Sequence, residues 1–247
     1  MALNIKTTVE TMAKLNGLLE KRQDFCYTRF GDTQLMLIDG WYGHGHEQVN
    51  SPKLRLLMTK ALAVNDPDYL IAPSCGYELE PGMRPGTFAL YRNDAELVRT
   101  VEKHATAKEF WHCEALHYAM IYDPSEVVRL FDAISKRDVL IVAGEQLDIR
   151  KVAFKNADII RVPMDNAFRH WEAILNRIYE YDAQVVLFSC GPLAQILQYF
   201  MFLDRPFITT INMGSVFNAL LGITEGIHTR AWIRQNEDRI KAFTRQL

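Results

Sequence analysis

The sequence predicts an α/β fold of the Rossmann-like kind, a mostly parallel sheet with helices on both faces. Three observations carry this. The runs at 138–143 (DVLIVA), 158–162 (DIIRV), 184–189 (QVVLFS) and 207–211 (FITTI) have strand length. They are too continuously apolar for a sheet with one wet face. Helical patterns at 148–155, 167–181 and 192–203 separate them, and strands joined by crossover helices run parallel with right-handed connections.

The elements follow in order. Residues 5–22 set Ile5, Val9, Met12, Leu15 and Leu19 at helical spacing. Short apolar runs at 25–30, 35–38 and 69–72 are each bounded by turn signals, with helical patterns at 51–64, 94–104 and 124–135 between and after them. The stretch 73–86 holds three prolines and three glycines and reads as one long irregular loop. The tail 228–247 is a final helix. At about 150 residues per domain, 247 residues fit one large α/β unit spanning 1–247, with an N-terminal helix within 1–24 and a C-terminal helix over 228–247.

Composition narrows the functional classes. Lys and Arg number 28 against 30 Asp and Glu, a formal charge of −2, which excludes a domain held to nucleic acid mainly by bulk positive charge. A local basic patch stays open. No uninterrupted apolar stretch approaches transmembrane length, and no apolar run follows the basic positions of the first 25 residues as an export signal requires. Cys26, Cys75, Cys113 and Cys190 include no C-x-x-C pair, so reduced, mostly buried thiols and a cytoplasmic location are expected, the host cytoplasm if the chain is phage-encoded.

In an open parallel sheet the ligand lies beyond the carboxyl ends of the strands. The sharpest junction there is Ser189-Cys190-Gly191-Pro192, where a strand ends, glycine permits a tight turn and proline suits a helix start. Free N–H groups at such a start hold a phosphate; the residues alone equally allow a plain helix initiation. Gly144-Glu145-Gln146 lacks dinucleotide spacing, and neither a phosphate-binding P-loop nor a nucleophile elbow occurs.

The second dense cluster is Thr28-Arg29-Phe30-Gly31-Asp32-Thr33-Gln34. Asp32 suits a hard divalent cation and Arg29 a phosphate, while an Asp-initiated turn with an Arg–Asp pair is the simpler alternative. His44-Gly45-His46-Glu47 has imidazoles two apart but no third ligand, and reads as a loop. His112, Glu114 and His117 read as core or rim, since a His–His spacing of five is poor for one helix face.

Several segments together resemble the GT-D-fold glycosyltransferases. Residues 137–145 (RDVLIVAGE), Ile160-Arg161-Val162-Pro163, Asn166-Ala167-Phe168 and the strand ending Gly191-Pro192-Leu193-Ala194 are similar to that family's "RDVLIVEGE", "RI-x-x-P", "NAF" and "LGPTA". Residues 29–34 are similar to its "RYGDGE", and Gln48 falls where it tends to carry Gln. The likeness covers roughly residues 20–222.

The resemblance implies sugar transfer from a nucleotide diphosphate sugar, commonly a UDP-sugar, to an acceptor hydroxyl, assisted by Mn²⁺ or Mg²⁺. It carries the acidic D-x-E motif onto Asp32 and Gln34, so Asp32 is the implied metal ligand and Gln34 a departure that predicts weaker metal dependence. A second departure is Asn212-Met213-Gly214-Ser215-Val216-Phe217 against "DIGHID". In a third, Arg150 and Lys151 replace a glycine-rich turn.

The implied catalytic set is Asp32, Arg29 and Glu47, with Asp39 and Glu145 as further candidate bases. The implied donor-binding set is Gly31, Gln34, Gly144, Glu145, Arg150, Asn166, Ser189, Gly191 and Pro192. A glycan or glycopeptide acceptor is expected over a hydroxymethylated DNA base. The DNA option rests on the tail, where Arg230, Arg234, Arg239, Lys241 and Arg245 face Glu237 and Asp238 for a net +3. The competing class is a nucleotide-sugar-binding or interaction module that has lost catalysis; another nucleotide-dependent enzyme, such as a methyltransferase, is weaker.

Overall fold

A computed structural model describes residues 3–40, 44–45, 48–76, 95–223 and 227–247. The chain runs α1 (Thr8–Glu20), β1 (Cys26–Phe30), α2 (Asp32–Asp39), a small hairpin β2 (His44–Gly45) and β3 (Gln48–Val49), α3 (Pro52–Leu62), β4 (Tyr69–Pro73) and α4 (Ala95–His104). It continues through α5 (Ala115–Tyr122), α6 (Pro124–Ser135), β5 (Val139–Gly144), β6 (Asp158–Val162), α7 (Trp171–Tyr179), β7 (Val185–Ser189), α8 (Leu193–Asp204), β8 (Thr209–Asn212), α9 (Val216–Leu220) and α10 (Ile227–Thr244). Six strands form one sheet in the order β4-β1-β8-β7-β5-β6, every neighbouring pair parallel.

Strand pleating explains the continuous apolarity of these runs. On β5, Val139, Ile141 and Ala143 join a core layer with α1, α5, α6, α9 and α10, while Leu140 and Val142 join the opposite layer with α7 and α8. The other half of that second layer packs Cys26, Phe30, Tyr69 and Ile71 against α2, α3 and α4. Both faces are thus dry, and every strand residue of β1, β4, β5, β7 and β8 is buried.

The sheet is not uniform at its centre. β1 pairs with β4 along all five residues, but with β8 only at Cys26 and Tyr27. Beyond Tyr27 the two strands part, and the backbone of Arg29 on the β8 side leaves the ladder. Helix α8 repairs the loss: Gln195 donates its side-chain amide to the Arg29 carbonyl, and Gln198 donates to the Tyr27 carbonyl at 3.0 Å. Both glutamines are buried. Because buried carbonyls require a partner, these two polar side chains inside an apolar helix follow from the parting of β1 and β8.

Two expectations change. The run 35–38 lies within α2, because four apolar residues carry no distinguishing period. Gly31 caps this helix and Gly40, at φ +79°, closes it. The helix expected over 148–155 shrinks to a 3-10 turn at Ile149–Lys151. There Asp148 binds the Arg150 and Arg161 guanidiniums, and Phe154 at φ +54° ends helical geometry. Two helices escaped the periodicity reading: α5, which is buried almost all round, and the five-residue α9.

Replacing Gln195 with Leu keeps the volume and removes the Arg29 carbonyl's partner, which is expected to cost about 1–3 kcal/mol. Urea unfolding with an unchanged m-value checks it; no change in midpoint contradicts the repair.

Candidate functional site

The carboxyl ends of β1, β8, β7 and β5 bring most of the singled-out residues to one edge of the sheet. Asp32 is the first helical residue of α2, partly exposed, and its carboxylate makes no hydrogen bond or ion pair among the described residues. Gln34 turns back along the helix so that its Oε1 occupies the space a Cβ on Gly31 would take, 2.5 Å from it. At the end of β7, Gly191 has φ +59° and nothing within 4 Å of where a Cβ would lie, so its backbone faces open space. Pro192 caps α8 and is buried. Ser189 is occupied in holding the edge together, donating its hydroxyl to the Gly214 carbonyl at 2.7 Å.

Arg29 departs most from expectation. It forms no pair with Asp32. Its guanidinium is buried in the gap between β1 and β8, where Nε donates to the Cys113 carbonyl at 2.6 Å and Nη1 to the Met213 carbonyl at 3.2 Å. Nη2 donates to Glu114 Oε2 at 2.8 Å, with both side chains nearly buried. Gly214 stands so close that a Cβ there would lie 1.6 Å from Nη1, and its φ of +51° suits glycine. The guanidinium is therefore committed to the protein, in keeping with its five-donor fork.

Glu114 is shared. His117 Nδ1 lies 2.8 Å from the same Oε2, and His117 Nε2 lies 3.0 Å from Ser215 Oγ. Burial by itself would raise the Glu114 carboxyl, but the Arg29 guanidinium and then His117 hold it well below the usual carboxylate range. His117 is lowered, chiefly by burial and further by Arg29, with Glu114 opposing. Burial likewise brings His112 down to about 4, and the Glu114 backbone N–H donates to its Nδ1 at 3.1 Å.

Sequence reading placed Glu114 and His117 in the core or rim. They are indeed buried, but they also connect to the strand ends. The signal that finds them is Glu–His spacing of three on one helix face, not the His–His spacing of five.

The other candidates divide. Asn166 is buried at φ +48°, and its Oδ1 accepts the Val49 N–H at 3.4 Å, while Gln48 Oε1 accepts the Phe168 N–H at 3.0 Å. The β2–β3 hairpin is thus tied to the segment following β6. Gly144 ends β5, and Glu145 is exposed, its carbonyl accepting from Arg161. Arg150 is held by Asp148 through Nε at 2.9 Å and Nη2 at 3.2 Å. Asp39 faces away toward α4, bound by Thr100, Lys103 and His104. Glu47 and His46 lie outside the described residues, as do Tyr77, Phe88 and Tyr91, aromatic residues whose type suits either stacking on a sugar or base or core packing.

Among the described residues no group of three or more His, Cys, Asp and Glu is disposed to hold a metal, and no helix is long and apolar enough to cross a membrane. Burial pushes the Cys26 thiol up to about 12 and raises those of Cys113 and Cys190. In the tail, Lys241 pairs with Glu237 at 2.5 Å, while Arg234, Arg239 and Arg245 are exposed. A cavity of about 530 Å³ between the end of α9 and α10 is lined in part by Arg234, Glu237, Lys241 and Arg245 of this tail and by none of the strand-end candidates.

A doubly covered parallel sheet with a carboxylate and two helix starts at its carboxyl edge is the arrangement in which open α/β folds bind their ligands. A profile of the glycosyltransferase GT-D fold matches residues 27–218, and the chain belongs to that family. Solved structures agree in fold. A new glycosyltransferase (DUF1792) from Streptococcus sanguinis is 18% identical, with a TM-score of 0.66 over 87% of this chain and 82% of its own. The structure reported as the highly conserved domain of unknown function 1792 with a distinct glycosyltransferase fold is 19% identical. Its TM-score is 0.60 over 88% of this chain and 80% of its own. No curated protein matches.

Replacing Arg29 with Met strands the Glu114 carboxylate and is expected to cost about 3–5 kcal/mol, most of it recovered by adding Glu114→Leu. The pH dependence has a defined sign. His112 and His117 stay neutral when folded, so protons bind the unfolded chain first and stability starts to fall below pH ~6.5. Glu114 has a depressed folded value, so its contribution is full above ~4.3 and is lost as pH falls below that. Urea midpoints from pH 8 to 3 check both steps; a flat profile between 7 and 5 contradicts the histidine step.

Proposed function

We propose that the protein transfers a sugar from a nucleotide diphosphate sugar, of the UDP-sugar class, to a hydroxyl on a glycan or glycopeptide. The observation that carries this reading is Asp32, a partly exposed carboxylate at the carboxyl end of β1, without a protein partner among the described residues, inside the segment matched to the family. A carboxylate without a partner among the described residues, beside the parting of two strands, suits a cation or a ribose hydroxyl better than the fold's own needs.

The diphosphate is assigned to the α8 start, where Gly191 opens the backbone to solvent and the helix dipole favours an anion by about 0.3–1 kcal/mol. That alone is too little for leaving-group departure, whereas a bound divalent ion contributes several kcal/mol. The Asp32 carboxylate and the Gln34 carbonyl oxygen would hold Mn²⁺ or Mg²⁺, which when bound stabilises charge on the departing diphosphate. So sparse a donor set fits a cation that keeps several waters and takes its other ligands from phosphate. The neutral Gln34 predicts weaker binding than a second carboxylate would.

Of the expected cationic contacts, Lys151 is the better phosphate partner, being exposed and without an ion pair among the described residues, whereas Arg150 is occupied by Asp148. Asn166 and Gly144 are assigned to the donor, Asn166 to the uracil or the sugar. Arg29 acts from beneath, holding the strand ends apart. A binding module without turnover is the second reading, favoured by neutral Gln34 and Asn212.

Release of nucleotide diphosphate from a panel of nucleotide sugars, with calorimetry against UDP, separates the two. Asp32→Asn is expected to lower transfer by about 10²–10³-fold, the equivalent of several kcal/mol of metal stabilisation, with unchanged melting. Gln34→Glu is expected to lower the Mn²⁺ concentration giving half-maximal rate. Full activity in Asp32→Asn removes Asp32 from the mechanism, and UDP binding without turnover favours the module. A gel shift with duplex DNA at low salt tests the remaining acceptor class.

A further inference from the structure

The Glu114–His117–Ser215 chain has an order of proton donors that the buried charges dictate. Glu114 is ionised, since Arg29 donates to its Oε2 at 2.8 Å in a site closed to water. His117 Nδ1 approaches the same oxygen to 2.8 Å as a charge contact rather than an aligned hydrogen bond, and an ionised carboxylate disfavours a bare lone pair facing it, so Nδ1 carries the imidazole proton. His117 is fully buried, and burial keeps it neutral at pH 7. Its Nε2 therefore bears a lone pair, and Ser215 Oγ at 3.0 Å has to donate to it. That turns the oxygen lone pairs of Ser215 away from the imidazole. Ser215 is partly exposed in the turn leaving β8, at the same carboxyl edge as Asp32 and Gly191. Acid, imidazole and hydroxyl in this sequence form an acid–base–hydroxyl relay.

We propose that Ser215 is a catalytic residue that takes the proton of the acceptor hydroxyl, with His117 as the terminal base and Glu114 and Arg29 as positioning residues. The proposal rests on the transferase reading. As the acceptor oxygen forms its bond to the anomeric carbon, its proton passes to Ser215 Oγ while the Ser215 proton passes to His117 Nε2. The bond from the anomeric carbon to the phosphate oxygen breaks, and the electron pair leaves with the nucleotide diphosphate. The imidazolium, stabilised by Glu114, returns its proton to solvent through Ser215 after product leaves. Among the described residues, charged groups facing His117 include Glu114 and Arg29, with His112 beyond Glu114.

Two measurements test this on the full-length protein. With a UDP-sugar that the unsubstituted protein turns over, Ser215→Ala and His117→Gln are each expected to lower kcat by about 10²-fold or more. The donor KM and calorimetric UDP affinity should stay unchanged, and Ser215→Thr should retain a rate within about tenfold of the original. The acid limb of kcat should lie below the usual histidine range of ~6.5 and vanish in Ser215→Ala. Nitrogen NMR of the unsubstituted protein should show His117 protonated at Nδ1 and bare at Nε2. Turnover retained by Ser215→Ala, or the opposite tautomer, overturns the relay alone. Absence of turnover with any donor overturns the transferase reading and the relay with it. Because Ser215 is partly exposed, its Ala variant is expected to fold, and retained melting with lost kcat keeps the test decisive should His117→Gln fail to fold.

Discussion

The buried ion pair between Arg29 and Glu114 is the constraint on which the active edge depends. Removing two charges from water is costly, and such a pair is tolerated only when its remaining hydrogen-bonding capacity is filled. Here the Cys113 and Met213 carbonyls take the other guanidinium donors, so one side chain joins β1, the start of α5 and the end of β8. The consequences spread outward. β8 leaves β1 after Tyr27, the Arg29 carbonyl needs Gln195 from the opposite layer, and position 214 has no room for a Cβ. None of these features has an independent cause; each accommodates a guanidinium in the middle of a sheet.

On the proposed reading, the same arrangement lets a near-neutral chain serve an anionic donor. Of the cations nearest the candidate site, Arg29 is neutralised by Glu114 and Arg150 by Asp148, which leaves Lys151 without an ion pair among the described residues. What remains at the edge is mostly uncharged, namely helix-start amides at α2 and α8, the Gln34 carboxamide and hydroxyls, with Asp32 and the exposed Glu145 as carboxylates. Oriented amides stabilise an anion without the desolvation cost of a buried cation. On the proposed reading, such a site would hold a diphosphate weakly by itself and would rely on a divalent ion for the remaining positive charge.

How much of this was legible in the sequence depended on the range of the interaction. The second half of the chain was readable because each strand there is dry on both faces and its apolar run stands alone between polar helices. The run 35–38 was not, because a short apolar stretch fits helix and strand alike, and the Gly31 cap and Gly40 stop decide the matter locally. Asp32 and Gly191 could be placed at the carboxyl edge because a strand end and a helix start are set by near neighbours. The partner of Arg29 could not: an Asp three residues away looked sufficient, and the real partner lies 85 positions on. Buried charges choose partners by three-dimensional access, which local spacing does not encode. The helix α5 was hidden for a related reason, since a helix buried on nearly all sides has no polar face to give it a period.

This long-range pairing also gives the hydroxyl at the edge its direction. Were Arg29 absent, burial would favour a protonated Glu114. A protonated carboxyl can donate to His117 as well as accept from it, so the tautomer of the imidazole would no longer be fixed. Ser215 would then donate or accept with nearly equal ease. The guanidinium never touches the imidazole's far nitrogen or the serine, yet by holding one carboxylate ionised it imposes a single proton order across two further side chains. Charge in this protein works through orientation: the buried cation is kept away from the ligand and spent on deciding which way neutral groups point.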